Sequence, residues 1–330
     1  TVAARPRMAE AAPLRVGVFG IGALGFHHTR LAAALPEAEL VGVHDVSPEA
    51  AERAAEAHGA RVFDDPEELA AQLDAAVVAV PTIHHEAVAA PLLARGIHCL
   101  VEKPIAPDLE SAGRLIAAAD DGGAVLGVGH VEYYNPAVQA LLAAAPGARF
   151  VEVQRLGVFS PRSLDVDVVL DLMIHDLQIL QALDGSPVAE VRATGIAVLS
   201  DRVDIANARV AFESGCVANV TASRVSSERA RKLRLFSPER YWSLDYQAQE
   251  IKGYQLGEPG SGGEAAYAYG DRGILPADVV VTPGEPLKAE LEAFLARCRG
   301  ERVPFFVDGE GGARALATAL DVMRAIERGG

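Results

Sequence analysis

The sequence predicts an α/β protein in two parts: a doubly wound N-terminal domain with a parallel sheet, and a C-terminal α+β domain with an open, mostly antiparallel sheet. Three observations lead to this prediction. Short apolar strands alternate with amphipathic helices between residues 14 and 128, as in parallel sheets covered on both faces. A glycine-rich turn joins the first strand to the first helix. Beyond residue 149, successive strands are separated by turn residues, which indicates antiparallel pairing.

The first strand, residues 14–19, leads directly into Gly20-x-Gly22-x-x-Gly25 and a helix predicted at 24–35. In such a unit the first glycine permits a sharp turn, the second lets a pyrophosphate approach the backbone, and the third lets helix and strand pack closely. The helix N-terminus offers free N–H groups to the phosphates. The spacing therefore predicts a dinucleotide-binding Rossmann domain. Its cofactor-binding turn consists of Gly20, Ile21, Gly22, Ala23, Leu24 and Gly25.

The second strand, residues 39–44, ends at Asp45, which lies 20 residues beyond Gly25. A carboxylate at this distance binds the ribose hydroxyls of NAD, and its charge repels the 2′-phosphate of NADP. Asp45 therefore favours NAD as the cofactor and leaves NADP open. The alternative is a glycine-rich βα turn followed by a surface aspartate, and the order of strand, turn, helix and acid argues against it.

The other elements of the first domain continue the alternation. Further strands are predicted at 61–63, 75–80, 98–101 and 125–128, and further helices at 48–58, 66–72, 84–94 and 109–120. Ligands of such sheets bind at the carboxyl ends of the strands, so the residues that follow each strand are site candidates. They are Pro81, Thr82 and His85, then Glu102 and Lys103, and then Glu132, Tyr133 and Asn135.

The second domain begins near residue 134. Helices are predicted at 137–144, 166–183, 287–299 and 309–328, and strands at 149–158, 188–199, 206–212, 216–223, 232–236, 241–245 and 250–256. The glycine-rich stretch 257–273 is predicted to be a mobile loop. The domains are thus an N-terminal arm at 1–13, a Rossmann domain at 14–133 and a substrate-binding and oligomerisation domain at 134–330. We expect the last helix to pack on the first domain.

The helix predicted at 166–183 carries Asp171 and His175 one turn apart on one face. An aspartate stacked on a histidine holds the imidazole in one tautomer and raises its basicity. The apolar neighbours predict a buried helix, where ionisable side chains are unfavourable without a purpose. An ion pair on a solvated face is the alternative, but Lys103 at a strand end favours a catalytic site. Pro104 makes the Lys103–Pro104 bond a candidate cis peptide.

A metal centre is the competing interpretation of the histidines. The residues concerned are His84, His85, His130, Asp171 and His175. No HxxxH or HExxH spacing unites them, so we predict no metal.

Composition excludes several classes of function. The chain has 330 residues, with 45 acidic against 30 basic side chains and a net charge of −15, which argues against nucleic acid or anionic membranes as partners. No charge-free apolar run reaches about 18 residues, so no membrane span is expected. Cys99, Cys216 and Cys298 are scattered, which is typical of reduced thiols and a cytoplasmic location. The first 13 residues lack the apolar core of a secretory signal.

The glycine turn, the triplet Glu102-Lys103-Pro104 and Asp171-x-x-x-His175 together resemble the motifs of the glucose–fructose oxidoreductase / inositol dehydrogenase / MocA family. The resemblance spans nearly the whole chain. It implies that NAD(P) oxidises or reduces a sugar or cyclitol carbon, and that the C-terminal sheet builds a homodimer or homotetramer. It also implies that His175 is the general base, that Lys103 polarises the substrate oxygen, and that Asp171 orients the pair or the sugar. Cofactor contacts are implied for Pro81, Thr82, His85, Glu102 and Lys103.

Three further segments are similar to the branch that oxidises C3 of UDP-N-acetylglucosamine-type sugars. They are Gly129-His-Val-Glu132-x-x-Asn135-Pro136, the run from Arg162 to Asp176, and Ser223-Arg224-Val-Ser226. This similarity implies substrate contacts from Glu132, Tyr133, Asn135, Arg162, Asp171 and His175. The branch more often has arginine and phenylalanine in place of Tyr133 and Tyr134, so the chain departs from it at one substrate-contacting position.

The sequence leaves the substrate open. Inositol or another polyol is one alternative, and a ketosugar or imine reductase would use the same residues in the reverse direction. A non-enzyme alternative is an NAD(P)-sensing regulatory protein with the same fold, against which the presence of Lys103, Asp171 and His175 argues. We expect a small-molecule substrate.

Overall fold

The computed structural model describes residues 12–144, 147–159, 166–263, 267–277 and 279–329. They form two compact units. The first contains the described residues up to Glu102, together with Arg114–Gly127 and Leu291–Phe306. The second contains Lys103–Gly113, Val128–Glu290 and the described residues from Val307 onward. Each unit is therefore assembled from segments that are distant in sequence.

The sheet of the first unit has the strand order β2-β1-β3-β4-β5. Its strands are β1 Leu14–Phe19, β2 Ala38–His44, β3 Ala75–Val78, β4 His98–Glu102 and β5 Leu126–Gly129. The pairs β1–β2, β1–β3 and β3–β4 are parallel. β3 is buried along its whole length, as expected of a central strand with helices on both faces. The predicted strand at 61–63 is reduced to one isolated bridge between Val43 and Val62.

Helices alternate with these strands. They are α1 Ala23–Ala34, α2 Pro48–His58, α3 Pro66–Ala70, α4 His85–Ala94 and α5 Leu109–Gly122. α2 begins where the Ser47 hydroxyl accepts a hydrogen bond from the Ala50 amide, and it ends at Gly59, whose φ of 70° suits glycine. A later helix, α8 Pro286–Cys298, contributes Phe294, which is fully buried in the first unit.

The second unit contains a nine-stranded sheet with the order β13-β14-β12-β11-β10-β6-β9-β8-β7. Its strands are β6 Phe150–Leu156, β7 Val188–Ile196, β8 Ile205–Phe212, β9 Val217–Ser223, β10 Ala230–Ser237, β11 Arg240–Asp245, β12 Glu250–Leu256, β13 Tyr267–Tyr269 and β14 Arg272–Pro276. Seven of the pairs given by the described residues are antiparallel, and β6–β9 is parallel. The sheet is thus open and mostly antiparallel, and the predicted fold class is confirmed.

Helices cover one face of this sheet. They are α6 Pro136–Ala144, α7 Ile174–Asp184 and α9 Gly309–Gly329, and a π-helical turn at Val169–Met173 leads into α7. α9, which we expected on the first domain, contacts α7 and β7 within the second unit. The Gln181 amide donates to the Thr318 hydroxyl at 2.7 Å and joins α7 to α9.

The stretch at 257–273, which we predicted to be a loop, contributes β13 and the start of β14. The two strands form a hairpin around Gly270, whose φ of 64° permits the tight reversal. The glycine content that indicated a loop therefore marks the turn of a hairpin. None of the helices described here is long and apolar enough to cross a membrane.

Candidate active site

The glycine turn of the first unit lies between β1 and α1, and its three glycines face different surroundings. Gly20 has a φ of 85°, and a Cβ added there would lie 2.6 Å from the Val80 amide nitrogen. A Cβ at Gly25 would lie 1.8 Å from the Gly20 carbonyl oxygen. A Cβ at Gly22 would meet no described atom within 4 Å. The fold itself therefore requires Gly20 and Gly25, whereas Gly22 leaves open space above the backbone at the start of a helix, which suits a pyrophosphate.

Asp45 lies beside this turn, as its spacing predicts. One carboxylate oxygen accepts a hydrogen bond from the Ile21 amide, and the other accepts from the Ser47 amide at 2.7 Å. The side chain is therefore held at the end of β2 next to the start of α1. Each carboxylate oxygen has two lone pairs, so both can also accept a ribose hydroxyl. The turn and Asp45 together fit a dinucleotide.

Four other residues were predicted to contact the cofactor in the first unit. Pro81 is exposed and Thr82 is half-buried after β3. His85 is buried, with its Nε2 2.9 Å from the Val80 carbonyl oxygen. Glu102 is 7% exposed and accepts a hydrogen bond from His28 Nε2 at 2.9 Å. Pro81 and Thr82 therefore offer surface to a ligand, whereas His85 and Glu102 hold elements of the fold together.

His28 was not anticipated from the sequence. It lies in the first turns of α1 and is fully buried. Its hydrogen bond with Glu102 fastens α1 to the end of β4, and thereby supports the helix N-terminus that follows the glycine turn. The adjacent His27 is exposed, so position in the sequence alone does not distinguish the two.

The predicted catalytic residues all lie in the second unit. The Lys103 ammonium donates to the Asp171 carbonyl oxygen at 2.7 Å and to its carboxylate at 3.2 Å. Both side chains are mostly buried, with 14% of Lys103 and 27% of Asp171 exposed. The Lys103–Pro104 peptide bond is cis. An ammonium held by a carbonyl and a carboxylate oxygen keeps its position, which is what stabilisation of a substrate alkoxide requires.

Asp171 does not hold the imidazole of His175 as we expected. Its carboxylate binds Lys103, and the Nδ1 atom of His175 has no hydrogen-bond partner among the described residues. The backbone explains part of this difference, because residues 169–173 form a π-helical turn. In a π-helical turn each backbone carbonyl pairs with the amide five residues further along the chain, instead of four. The Asp171 carbonyl oxygen also accepts a hydrogen bond from the Lys103 ammonium.

His175 is 8% exposed and lies against His130, which is fully buried. The ring centroids are 5.8 Å apart and the ring planes meet at 89°, so the rings pack edge to face. Burial, followed by the charges of Lys103 and Arg155, lowers the pKa of His175 well below its ordinary value. Burial and the charge of Lys103 lower the pKa of His130 to about 3. Both imidazoles are therefore neutral at neutral pH, and His175 is ready to accept a proton.

A buried ionic network lies next to His175 in the chain. Arg155 donates two hydrogen bonds of 2.7 Å to Asp176, and a third of 2.7 Å to Glu132. The Tyr246 hydroxyl donates to Asp176 at 3.2 Å, and the Arg155 guanidinium lies 4.9 Å from the centre of the Tyr246 ring. Burial acts to lower the pKa of Arg155, but Asp176 and Glu132 raise it well above its ordinary value. The network therefore anchors the residue that follows His175.

Arg155 and Asp176 were not singled out from the sequence, although a signal was present. Along β6, Val151, Val153 and Arg155 alternate as its buried residues. A charged residue on the buried face of an alternating strand needs a partner of opposite charge. The pattern therefore indicates a buried ion pair, but it does not indicate where the partner lies.

The residues predicted to contact substrate differ in their surroundings. Glu132 is half-buried and binds Arg155 and Arg231, the latter at 3.1 Å. Tyr133 is 9% exposed and packs edge to face on Tyr134. Arg162 lies outside the described residues.

Asn135 is 2% exposed, and both ends of its amide group have partners in the fold. The nitrogen donates to the Tyr246 carbonyl oxygen at 2.9 Å, and the oxygen accepts from the Ala137 amide at 3.0 Å. It therefore caps the start of α6 and joins it to the residue that follows β11.

The chain is similar in sequence to a family of oxidoreductases and to individual dehydrogenases. The model of an oxidoreductase family with an NAD-binding Rossmann fold matches residues 14–130, and the GFO/IDH/MocA C-terminal domain model matches residues 153–239. UDP-N-acetylglucosamine 3-dehydrogenase of Acidithiobacillus ferrooxidans is 40% identical over 315 residues, which cover 95% of this chain and 97% of that protein. Inositol 2-dehydrogenase of Rhizobium meliloti is 32% identical over 199 residues, which cover 57% of this chain and 60% of that protein.

Solved structures agree with these similarities. A structure of the Acidithiobacillus ferrooxidans enzyme aligns with a TM-score of 0.86 and 39% identity, and the alignment covers 96% of this chain and 98% of that chain. Levoglucosan dehydrogenase in complex with NADH and levoglucosan aligns with a TM-score of 0.81 at 18% identity, over 96% of this chain and 98% of that chain. At that identity the second alignment shows a shared fold.

Proposed function

This chain belongs to the GFO/IDH/MocA family of NAD-binding oxidoreductases, and from that premise we propose that it oxidises the C3 hydroxyl of a UDP-N-acetyl sugar with NAD. The observation that supports the chemistry is that Lys103 binds Asp171, and that its charge acts on the buried imidazole of His175. The similarity to UDP-N-acetylglucosamine 3-dehydrogenase over 95% of the chain supports the choice of substrate.

His175 is the general base in this proposal. Its imidazole is neutral because burial and the neighbouring cations lower its pKa, so an unprotonated ring nitrogen is present to receive the proton of the substrate hydroxyl. The hydrogen on the same carbon leaves as hydride, and the products are a ketone and one proton held by His175. NAD, when bound at the glycine turn, supplies the hydride acceptor.

Lys103 stabilises the oxygen as it loses its proton. An ammonium fixed beside that oxygen favours the alkoxide-like transition state over the neutral hydroxyl, because the charge is already in place when the reaction begins. Asp171 holds the ammonium through its carbonyl and carboxylate oxygens. Asp171 therefore positions Lys103 in this proposal.

The first test is absorbance of NADH during incubation of the purified protein with NAD or NADP and a panel of UDP-sugars, free sugars and inositols. We expect reduction of NAD with a UDP-N-acetyl sugar. Lys103→Met and His175→Ala should each lower kcat by about 10²- to 10⁴-fold, since each removes one catalytic group. His27→Ala is the matched control, because His27 is an exposed histidine on α1 that has no part in the proposed chemistry. Wild-type turnover by His175→Ala would contradict the assignment of the base.

A polyol is the second candidate substrate, and the similarity to inositol 2-dehydrogenase over 57% of the chain favours it. Turnover with inositols and none with UDP-sugars would select this candidate and keep the roles of His175 and Lys103. Binding of NAD without turnover in either direction would favour a regulatory role.

We infer that the second unit also forms a homodimer or homotetramer. Four aromatic rings form a ladder across β6, β10, β11 and β12, with centroid separations of 5.8 Å for Phe150–Phe236, 5.0 Å for Phe236–Tyr241 and 6.4 Å for Tyr241–Tyr254. Their rings are partly exposed, and Tyr254 is 45% exposed. Such a surface on an open sheet is typical of an interface.

Light scattering after size-exclusion chromatography tests this inference. Tyr241→Lys should reduce the mass of the oligomer, because it introduces a charge into the aromatic ladder. Val280→Lys is the control, since Val280 is 91% exposed and lies outside the ladder. A wild-type mass equal to the 34.6 kDa of one chain would refute the inference.

We infer a cytoplasmic location for the protein. Cys99 and Cys216 are buried free thiols, and burial raises the pKa of Cys216 to about 11. Neither thiol forms a disulfide, which is typical of proteins in a reducing compartment.

A further inference from the structure

Arg224 is a buried arginine of the second unit to which the proposed chemistry assigns no role. It belongs to the segment Ser223-Arg224-Val-Ser226, which begins at the last residue of β9, and only 6% of its surface is exposed. A guanidinium in the interior needs a partner of opposite charge, and it needs acceptors for its N–H groups in several directions. The groups that accept from Arg224 therefore show which parts of the fold it connects.

Asp204 is the charged partner of Arg224, and it has no exposed surface. Its Oδ1 atom accepts from Arg224 Nε at 2.8 Å, and its Oδ2 atom accepts from the backbone amides of residues 198–200 at 2.6–3.0 Å. The Ser200 hydroxyl accepts from a second nitrogen of the guanidinium at 3.0 Å. The buried pair therefore fixes the connection between β7 and β8, and this connection in turn fixes the guanidinium.

The third nitrogen of the Arg224 guanidinium reaches a different part of the unit. It donates to the backbone carbonyl oxygen of Val166 at 2.6 Å. The next two residues bind Val203, which precedes the buried carboxylate in the chain. The Val203 amide donates to the Asp167 carboxylate at 2.9 Å, and the Val168 amide donates to the Val203 carbonyl oxygen at 3.0 Å. Three consecutive residues are thus held, one by the guanidinium and two by the connection that the guanidinium supports.

These three residues come directly before the π-helical turn Val169–Met173, which leads into α7 and His175. The Asp171 amide donates to the Asp167 carbonyl oxygen at 3.0 Å, and the Asp171 carbonyl oxygen accepts from the Lys103 ammonium at 2.7 Å. Backbone hydrogen bonds therefore run from the held residues to the group that binds the ammonium.

We propose that Arg224 is a positioning residue, which holds the beginning of the segment 166–175 through the carbonyl oxygen of Val166. By fixing that segment it keeps Lys103 and His175 in place for the reaction. Such placement matters because a displacement of about 1 Å can lower a rate about 10²-fold. The proposal rests on the sugar oxidation proposed above, but the order of residues 166–175 can be measured without a substrate.

Hydrogen–deuterium exchange of the full chain, followed by mass spectrometry, tests this order. Arg224→Lys keeps the positive charge beside Asp204 and removes the fork that also reaches Val166. We expect peptides from residues 166–175 to exchange about tenfold or more faster than in the wild type, and peptides from β11 and β12 to exchange at the wild-type rate.

Arg234→Lys is the matched control, because Arg234 is an exposed arginine on β10 that lies 3.6 Å from Glu152. It should leave the exchange of both regions unchanged. Wild-type exchange at residues 166–175 in Arg224→Lys would overturn the proposal. An equal increase throughout the second unit, or loss of folding, would also overturn it, since the buried pair would then stabilise the unit as a whole.

Kinetics provide the second measurement once a substrate is known. Arg224→Lys should lower kcat by about 10- to 100-fold and leave the Kd for NAD unchanged, because the cofactor turn lies in the first unit. Lys103→Met should then have a smaller effect in Arg224→Lys than in the wild type, since the ammonium is already displaced. Equal effects in the two backgrounds would show that Arg224 acts independently of Lys103. If no sugar is oxidised, the exchange measurement still decides the proposal.

Discussion

Gly22 is a position where the fold tolerates a side chain but a bound cofactor should not. It caps α1 with φ −68° and ψ −159°, which is a conformation that any residue can adopt. A methyl group added there would meet no atom of the described chain within 4 Å. Gly22→Ala should therefore fold, whereas Gly25→Ala would place a Cβ 1.8 Å from the Gly20 carbonyl oxygen and disrupt the turn.

Gly22→Ala should weaken the binding of NAD. A methyl group in the space of the pyrophosphate displaces at least one charge-assisted hydrogen bond from the start of α1, and such a bond contributes about 1.5–3 kcal/mol. This corresponds to a Kd for NAD that is about 10- to 150-fold higher. The free energy of unfolding should fall by less than about 1 kcal/mol, the usual difference between glycine and alanine at a helix N-cap.

Isothermal titration with NAD and urea unfolding of the same samples measure the two effects. Gly113→Ala is the control, because its added methyl within α5 also meets no described atom within 4 Å. It should bind NAD as the wild type does and be slightly more stable, since alanine is favoured over glycine inside a helix. Wild-type affinity for NAD in Gly22→Ala would refute the assignment of the turn, and so would a loss of stability comparable to that in Gly25→Ala.

Three further predictions concern other charged or titratable groups. Asp45→Ser should lower the ratio of the Kd for NADP to the Kd for NAD by about tenfold or more, because the carboxylate that repels the 2′-phosphate is gone. Titration with both cofactors measures this ratio, and an unchanged ratio would show that the ribose binds elsewhere. Asp176→Asn should lower the free energy of urea unfolding by about 3–5 kcal/mol, because Arg155 loses its bidentate partner in the interior, and a loss below about 1 kcal/mol would contradict this. The pKa of His130, about 3 in the folded protein against about 6.5 in the unfolded chain, means that the unfolded chain binds the extra proton as pH falls. The free energy of unfolding should therefore drop by about 2 kcal/mol between pH 7.5 and pH 5 on account of His130, and His130→Phe should lack that part of the pH dependence.

Local sequence determined most of the first unit and the cofactor turn. β1 and α2 begin and end where they were predicted, because apolar runs, the capping Ser47, and Gly59 act on the chain within a few residues. Gly20 was predictable for the same reason, since its φ of 85° admits few residue types other than glycine. The family motifs could also be recognised in the sequence, and the resemblance that they indicated is confirmed.

Local patterns were misleading where one residue type serves two purposes. Glycine at 257–273 indicated a loop, yet Gly270 provides the turn of the hairpin between β13 and β14. Asp171 and His175 share a helical face, which predicted an interaction between them. The structure instead pairs Asp171 with Lys103, which lies 68 residues away in the chain.

The tertiary structure alone decided how the side chains of the second unit meet. Arg155 reaches Asp176 and Glu132 over 21 and 23 residues of sequence, and His130 packs on His175 although a strand and a helix separate them. Such contacts follow from the packing of whole elements against one another. Periodicity and capping signals do not predict these contacts. Such signals depend only on neighbouring residues in the sequence, whereas the contacts join residues that are distant in the sequence.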